Sequence, residues 1–274
     1  MRSAAYCCII VLTCQATSGC AGMGAYSPLL PVERALLYRP ATTADRAMEE
    51  GDVWFNTDDG VRLHGRLFDH PQRRAVILYC HGNAGSVETW SQAAIELQVQ
   101  HQCAVFVFDY RGYGKSEGTP SEDGLLLDAR AARRWLAQKA GVEEKEIVLL
   151  GRSLGGGVAV DLAAKDGARG LILESTFSSM PDVAAYHVPW LLPQLMMTQR
   201  FNSVEKIKHY TGPLLQCHGE ADRLVPLTLA RSLFEAAPGR KQFITIAGAG
   251  HNDPPNGEFH VALEEFLGSL PKVK

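Results

Sequence analysis

A serine that could act as a nucleophile lies in the run Val-Leu-Leu-Gly-Arg-Ser-Leu-Gly-Gly-Gly at residues 148–157. Ser153 is the centre of a G-x-S-x-G pattern, between an apolar strand-like run and the start of a helical pattern. A sharp strand-to-helix turn exposes such a hydroxyl, and the glycines two residues to either side leave room for it. The first N–H groups of the following helix favour negative charge. The pattern therefore predicts that Ser153 is a nucleophile.

Two further residues could activate this serine. Asp222 follows one apolar strand-like run, and His251 follows the last one. Because histidine ordinarily titrates near pH ~6.5, His251 could accept the serine proton and return it to a leaving group. Asp222 would fix the imidazole tautomer and stabilise the imidazolium. Glu174 is an alternative acid, and His209 and His260 are alternative bases.

Alternating strand and helix patterns must position these residues. A hairpin pattern comes first, with a turn at Asp58-Asp59-Gly60, and short apolar runs then alternate with helical patterns. Continuous apolar runs are typical of parallel strands buried on both faces. The sequence predicts an α/β fold with a mostly parallel sheet flanked by helices on both faces. The predicted strands are 52–56, 62–68, 75–80, 104–108, 147–150, 171–173, 214–217 and 242–246, and the helices are 86–100, 121–139, 154–165, 227–236 and 258–267.

The candidate residues should meet at one edge of this sheet. Reactive groups in an open parallel sheet gather at the carboxyl ends of the strands. Ser153, Asp222 and His251 all follow strands, and so does the loop His81-Gly82-Asn83-Ala84-Gly85. The chain order Ser, Asp, His is that of the α/β-hydrolase fold.

These motifs, with DYRGYGKS at 109–116, HGEAD at 218–222 and the pair Gly250-His251, resemble those of α/β hydrolases. The resemblance is specifically to a small-lid subfamily with HGNAG and GRSLGG motifs, which includes membrane-associated serine hydrolases similar to protein depalmitoylases. It covers the chain from about residue 50 to the end. It implies a Ser-His-Asp triad, and an oxyanion hole in which the Asn83 backbone N–H joins that of Leu154.

Several other polar and thiol side chains near these motifs are expected to be structural. His81 and His218 would shape loops at strand ends, and Asp109 and Arg111 would hold a loop by hydrogen bonds. The cysteines at 80, 103 and 217 stand in or beside apolar runs, which favours buried free thiols. No C-x-x-C or His/Cys metal-ligand spacing occurs, so no metal is predicted. The glycines at 112–118 match neither a P-loop nor a dinucleotide fingerprint, so no cofactor is predicted.

The first residues have the pattern of a targeting segment. Arg2 precedes an apolar run at 4–14 that is shorter than the ~20 residues of a membrane span, so it fits a secretory signal. The run Thr-Ser-Gly-Cys resembles a bacterial lipobox and would make Cys20 a lipidation site, although Thr17 departs from the usual leucine. An ordinary cleaved signal and an uncleaved anchor are the alternatives. We predict a signal peptide at 1–19, a tether and lead-in at 20–50, the hydrolase domain at 51–274, and a location in the cell envelope.

An apolar cluster interrupts the strand–helix alternation between about 177 and 207, where this fold usually carries a lid. Trp190, Leu191, Leu195 and Met196 belong to it. They could line an acyl pocket, because methionine-rich surfaces adapt to varied ligands. They could instead enter a membrane surface or pack a short lid helix. The sequence leaves these alternatives open.

The composition limits the function classes. The chain has 274 residues, 46% of them hydrophobic, and a formal net charge of −3, so it can bury one large core and has no basic field for nucleic acid. The motifs predict a serine hydrolase of acyl esters or thioesters that acts through an acyl-enzyme. A peptidase or amidase on the same triad, and a non-catalytic protein of this fold, are the alternatives. The oligomeric state is left open.

Overall fold

A computed structural model describes residues 30–41 and 48–271. Within them, eight strands form the main sheet: β1 Asp52–Asn56, β2 Arg62–Phe68, β3 Ala75–Cys80, β4 Cys103–Phe108, β5 Val148–Arg152, β6 Gly170–Glu174, β7 Leu214–Gly219 and β8 Lys241–Ile246. The helices are α1 Leu30–Leu37, α2 Val87–His101, α3 Glu122–Ala140, α4 Leu154–Asp166, α5 Met180–His187, α6 Pro193–Met196, α7 Ser203–Lys206, α8 Leu227–Ala236 and α9 Gly257–Ser269.

The spatial order of the strands is β8-β7-β6-β5-β3-β4-β2-β1. The strand β2 runs antiparallel to both β1 and β4, and the remaining neighbours are parallel. The prediction of an α/β-hydrolase fold with a mostly parallel sheet is confirmed. Each predicted strand and helix ends within two residues of its observed bounds, because short apolar runs and helical periodicity are strong local signals.

The sheet separates two hydrophobic cores. In β3, Val76 and Leu78 pack in the core that includes residues of α3, α4 and α8. Their neighbours Ile77 and Tyr79 pack in the core that includes residues of α2 and α9. Successive side chains of a strand point to opposite faces, so a strand covered by helices on both faces is apolar at every position. This explains the continuous apolar runs of the sequence.

The ends of the longer helices follow local hydrogen-bonding rules. Ser121 precedes α3 and its hydroxyl accepts a hydrogen bond from the Gly124 N–H at 3.1 Å. Gly141 follows α3 in the left-handed conformation, with φ of 69°. Asn256 precedes α9 and its side chain accepts from the Phe259 N–H at 3.1 Å.

The segment ahead of the sheet packs across the loop that follows β3. We call residues 30–41 the N-terminal strap. Its residues Arg39–Pro40 pair in parallel with Ala84–Gly85. Among the helices at 30–41 and 48–271, none combines the length and apolar character that a bilayer crossing requires. The predicted signal peptide and Cys20 lie outside the described residues, so both stay predictions.

The chain between β6 and β7 is built from short helices. It contains α5, α6 and α7, with the 3-10 turns Pro189–Leu191 and Ile207–His209 beside them. These short elements explain why the strand–helix alternation is interrupted here. The function of this segment as a lid stays a prediction.

Candidate active site

Ser153 lies at the sharp turn between β5 and α4. Its φ of 51° and ψ of −117° are rare for a residue with a side chain. The Ser153 N–H donates to the Glu174 carbonyl at 2.9 Å, and the Thr176 hydroxyl donates to the Ser153 carbonyl at 2.8 Å. Hydrogen bonds from the next strand connection therefore hold the backbone in this unusual conformation.

The turn requires its glycines for steric reasons. A methyl group on Gly155 would lie 2.0 Å from the Cys80 carbonyl oxygen, and one on Gly151 would lie 2.5 Å from the Gly155 oxygen. Both distances are far below van der Waals contact. The close approach of α4 to β3 and β5 is therefore possible only without a Cβ atom at these positions.

The three predicted side chains lie in one hydrogen-bonded row. The His251 Nε2 atom is 3.0 Å from Ser153 Oγ, and His251 Nδ1 is 2.7 Å from Asp222 Oδ2. The alternative residues lie elsewhere. Glu174 pairs with an arginine, His260 stacks on another histidine, and His209 is exposed at the surface.

The Asp222 carboxylate accepts hydrogen bonds at both oxygens. Oδ1 accepts from the N–H groups of Leu224 and Val225 at 2.9 and 2.8 Å. Oδ2 is 2.7 Å from His251 Nδ1 and 3.2 Å from His218 Nε2. Burial by itself would raise the pKa of Asp222, but these hydrogen bonds hold that pKa well below its ordinary value. Asp222 is therefore a fixed negative charge beside the imidazole.

Arg152 supports the loop that carries His251. Its Nη2 atom donates to the carbonyls of His251 and Asp253 at 3.2 and 3.3 Å. Its Nη1 atom donates to Glu174 Oε2 at 3.2 Å, and both side chains of this ion pair are buried. Burial raises the pKa of Glu174, and the Arg152 charge opposes this shift. In the sequence, only the position of Arg152 directly before Ser153 points to this residue, and its role was not predicted.

The two expected oxyanion donors flank Ser153. Leu154 is the first residue of α4, where the N–H group has no partner within the helix. The loop carrying Asn83 lies close by, since a methyl group on Gly82 would be 3.7 Å from Ser153 Cβ. The role of the Asn83 backbone N–H as an oxyanion donor stays a prediction.

The Asn83 side chain connects the loop to the N-terminal strap. Its Oδ1 atom accepts from the Arg39 N–H at 3.1 Å and from the Tyr113 hydroxyl at 2.8 Å. Its Nδ2 group donates to the Leu37 carbonyl. The contact between Asn83 and the N-terminal strap was not predicted, because the two are far apart in the chain.

The residues expected to be structural are held by hydrogen bonds and ion pairs. His81 donates from Nδ1 to the Gly82 carbonyl at 2.7 Å, and burial lowers its pKa. Asp109 accepts from the Val87 N–H at 2.7 Å, which ties the loop after β4 to the start of α2. Arg111 pairs with two aspartates.

The thiols of Cys80, Cys103 and Cys217 are free and buried, as their apolar surroundings predict. Burial raises the pKa of Cys80 and of Cys103 to about 12, so both stay protonated at neutral pH. Within the described residues, no cluster of three or more His, Cys, Asp or Glu side chains could hold a metal ion.

The apolar residues proposed to bind substrate lie at the surface. Trp190 is 74% exposed and Leu195 is 80% exposed, and Leu191 and Met196 are also exposed. The preceding helix α5 reaches the site, because His187 Nε2 donates to the Leu224 carbonyl at 2.9 Å. Leu224 in turn donates its N–H to the candidate acid Asp222.

Comparison with known proteins is consistent with this architecture. A family profile described as "alpha/beta hydrolase fold" matches residues 75–206. An uncharacterised protein of Mycobacterium tuberculosis is 38% identical over 88% of each chain. Alpha/beta hydrolase domain-containing protein 17C of Bos taurus is 32% identical, over 87% of this chain and 70% of its own.

Among solved structures, the esterase Pf2001 of Pyrococcus furiosus superposes with a TM-score of 0.71. The match covers 85% of this chain and 98% of that one, at 22% sequence identity. At such low sequence identity, the superposition shows a shared fold and no more. The sheet order, the turn at Ser153 and the identity to named relatives together show that the chain belongs to the alpha/beta hydrolase family.

Proposed function

We propose that this protein is a serine hydrolase that cleaves carboxylic ester or thioester bonds of acyl substrates. The observation that carries the proposal is the row of distances, 3.0 Å from Ser153 Oγ to His251 Nε2 and 2.7 Å from His251 Nδ1 to Asp222 Oδ2. Both distances lie in the hydrogen-bond range that proton transfer and control of the imidazole tautomer require.

In the acylation step, His251 Nε2 takes the hydroxyl proton while Ser153 Oγ attacks the substrate carbonyl carbon. Asp222 accepts the Nδ1 hydrogen bond and stabilises the imidazolium that forms. The carbonyl oxygen becomes negative, and the backbone N–H groups of Leu154 and Asn83 donate to it. One such donor typically contributes ~3 kcal/mol to lowering the barrier.

Collapse of this intermediate breaks the bond to the leaving group, which takes the proton from His251. The acyl group is then bonded to Ser153 Oγ. Water attacks the acyl carbon of this ester while His251 accepts a proton from the water. The bond from that carbon to Ser153 Oγ then breaks, His251 returns the proton to Oγ, and the acid is released.

Two observations favour acyl esters and thioesters as substrates. The Pyrococcus furiosus protein of the same fold is named an esterase. The short segment between β6 and β7 also exposes apolar side chains, and its residue His187 contacts Leu224 in the Asp222 loop. We expect an apolar acyl group and a small leaving group.

A fluorophosphonate probe tests the nucleophile. The wild-type chain should be labelled covalently, and Ser153→Ala should show no labelling and lose at least about 10⁴-fold in kcat. A Ser175→Ala variant is a matched control on the neighbouring turn and should be labelled like the wild type. Equal labelling of wild type and Ser153→Ala would refute the assignment.

The leaving-group class is tested by comparing substrates. Short p-nitrophenyl esters and acyl thioesters should be hydrolysed faster than aminoacyl-naphthylamides. Faster cleavage of the amides would favour a peptidase or amidase. Absence of both turnover and probe labelling would favour a non-catalytic protein.

A lipid anchor on Cys20, and hence attachment in the cell envelope, is part of the proposal. It is supported by the apolar run at 4–14 and the lipobox-like Thr-Ser-Gly-Cys. Mass spectrometry of the mature N-terminus should find a diacylglyceryl adduct on Cys20. An unmodified terminus at another residue would contradict it.

A further inference from the structure

The segment between β6 and β7 carries a cluster of exposed apolar side chains. We call it the apolar crest and define it as Tyr186, Trp190, Leu191, Leu192, Leu195 and Met196, each more than half exposed. A soluble protein rarely leaves so many large apolar groups together in water, because each loses the free energy that burial would provide. The crest therefore points to a binding partner.

Hydrogen bonds on both sides of the crest fix its base. At its start, directly after Tyr186, His187 donates to the Leu224 carbonyl at 2.9 Å. After it, the N–H groups of Thr198 and Gln199 donate to the Glu33 carboxylate at 2.9 and 2.7 Å. The crest is thus presented outward from an anchored base.

The charge of this segment favours an anionic surface. Residues 183–204 contain no aspartate or glutamate and include the exposed Arg200, while the nearest carboxylates along the chain are those of Asp182 and Glu205. Apolar side chains near a basic group, with a tryptophan among them, are the composition of surfaces that enter the headgroup region of a bilayer. Anionic phospholipids attract such a basic group.

The number of residues between Cys20 and α1 limits how far a lipid anchor could lie from the crest. The residues before position 30 join α1, and Glu33 of α1 binds the backbone directly after the crest. Cys20 precedes Leu30 by ten residues, which span at most about 35 Å when fully extended. A lipid on Cys20 would therefore hold α1, and with it the crest, close to the same membrane.

We propose that the apolar crest enters the interfacial region of an anionic phospholipid bilayer, so that acyl groups reach the active site from the membrane. The substrate part of this inference rests on the proposed hydrolase function. The connection is short, since His187 at the end of α5 binds Leu224, whose N–H donates to Asp222. Binding to lipid itself does not depend on catalysis.

Tryptophan fluorescence of the full chain tests the inference. Trp190 is exposed, whereas Trp54, Trp90 and Trp135 are at least half-buried. Vesicles with about one third anionic lipid and brominated acyl chains should quench Trp190 emission, since bromine quenches indole only at close contact. The quenching should disappear in Trp190→Phe and persist in Trp54→Phe. Lack of quenching in the wild type would overturn the proposal.

Paired variants separate a lipid partner from a protein partner. Leu195→Glu should reduce the quenching at least about twofold, because a charge resists entry into the bilayer. Val261→Glu changes another exposed apolar residue, on α9, and should have no effect. A concentration-dependent dimer that shields Trp190 from lipid would show that a second copy covers the crest, and would refute the proposal.

The inactive variant distinguishes this inference from the proposed function. Ser153→Ala should be quenched like the wild type but should not hydrolyse esters placed in the vesicles. If the wild type is quenched and hydrolyses no ester, the hydrolase proposal fails and the lipid-binding inference stands. If it hydrolyses esters without quenching, the lipid-binding inference fails alone.

Discussion

The Asp222 carboxylate combines a charge with a fixed orientation. Two backbone N–H groups hold Oδ1, so Oδ2 is directed at the imidazole of His251. Hydrogen bonds to the ionised form lower the pKa of Asp222 below its ordinary value of about 3.9. Asp222 therefore remains charged at any pH at which His251 could work as a base.

The substitution Asp222→Asn should lower kcat on the order of 10⁴-fold, because the amide stabilises the wrong tautomer of the His251 imidazole. Steady-state kinetics on a p-nitrophenyl ester measures this, with far-UV circular dichroism to verify the fold. A loss below about tenfold would contradict the role of Asp222.

The same variant gives a pH-dependent stability difference. A carboxyl whose folded pKa is depressed contributes stability above its unfolded pKa and loses it as the pH falls through the folded value. The wild type should thus exceed Asp222→Asn by a constant free energy of unfolding between about pH 5 and 8. The difference should shrink below about pH 4. Urea denaturation across this range measures it, and a difference that is flat down to about pH 2 would contradict the prediction.

Arg152 and Glu174 form a buried pair that holds the His251 loop. Arg152→Gln should cost about 3 kcal/mol of stability, because Glu174 is left buried and unpaired. Without the guanidinium, folded Glu174 keeps its proton to higher pH. Since a raised folded pKa means that stability is lost as the pH rises, the variant should be less stable at about pH 8 than at about pH 5 relative to the wild type. Urea denaturation at both pH values measures this, and an equal loss at the two would contradict it.

A double variant separates the positioning role of Arg152 from stability. Arg152→Gln combined with Glu174→Gln removes the unpaired charge. The stability lost in Arg152→Gln should therefore return, and the extra loss at about pH 8 should disappear. The kcat should stay about tenfold or more below wild type, because the carbonyls of His251 and Asp253 still lack their donor. Full recovery of kcat would show that Arg152 acts only through stability.

At the scale of elements, the turn between β5 and α4 depends on close packing. A Cβ atom at Gly155 would meet the β3 backbone at 2.0 Å, which no side-chain rotation can relieve. Gly155→Ala should destabilise the protein by about 3 kcal/mol or more and displace Ser153.

A second glycine in a helix provides the control for this substitution. Gly268 lies in α9, where an added Cβ atom would have no heavy atom within 4 Å. Gly268→Ala should leave stability unchanged or raise it by up to about 1 kcal/mol. Thermal denaturation of both variants measures the contrast. Similar stability for the two would contradict the steric requirement at Gly155.

At the scale of the whole molecule, the N-terminal strap joins two parts of the site. Glu33 in α1 binds the backbone after the apolar crest. Leu37 and Arg39 bind the side chain of Asn83 in the expected oxyanion loop. A change in the packing of the strap would therefore alter the position of both the apolar crest and the loop with the proposed oxyanion donor.

Asn83→Ala should release the strap from this loop. Because its backbone N–H is kept, we expect a partial loss of kcat, on the order of tenfold, with faster amide hydrogen exchange in residues 37–41. Tyr113→Phe removes one of the contacts to Asn83 and should give a smaller change of the same kind. Unchanged exchange in Asn83→Ala would show that the strap is held independently of this side chain.

Local patterns in the sequence were sufficient to predict the fold and the edge of the sheet that carries the site. The run Val148–Arg152 and the glycines around Ser153 are patterns within short stretches of the chain, and the order of the motifs is read directly from the sequence. Apolar periodicity, turn chemistry and the parallel arrangement of strands then fix the elements and bring their carboxyl ends together.

Only the tertiary structure decided which side chains share a hydrogen bond. Asp222 and Glu174 both follow strands, and their local patterns allow either as the acid, but Asp222 contacts His251 while Glu174 contacts Arg152. The contacts of the strap with Asn83 and the exposure of Trp190 were equally inaccessible from the sequence. The reason is physical, because a hydrogen bond depends on tenths of an ångström between atoms whose residues are tens of positions apart, and local periodicity carries no information at that distance.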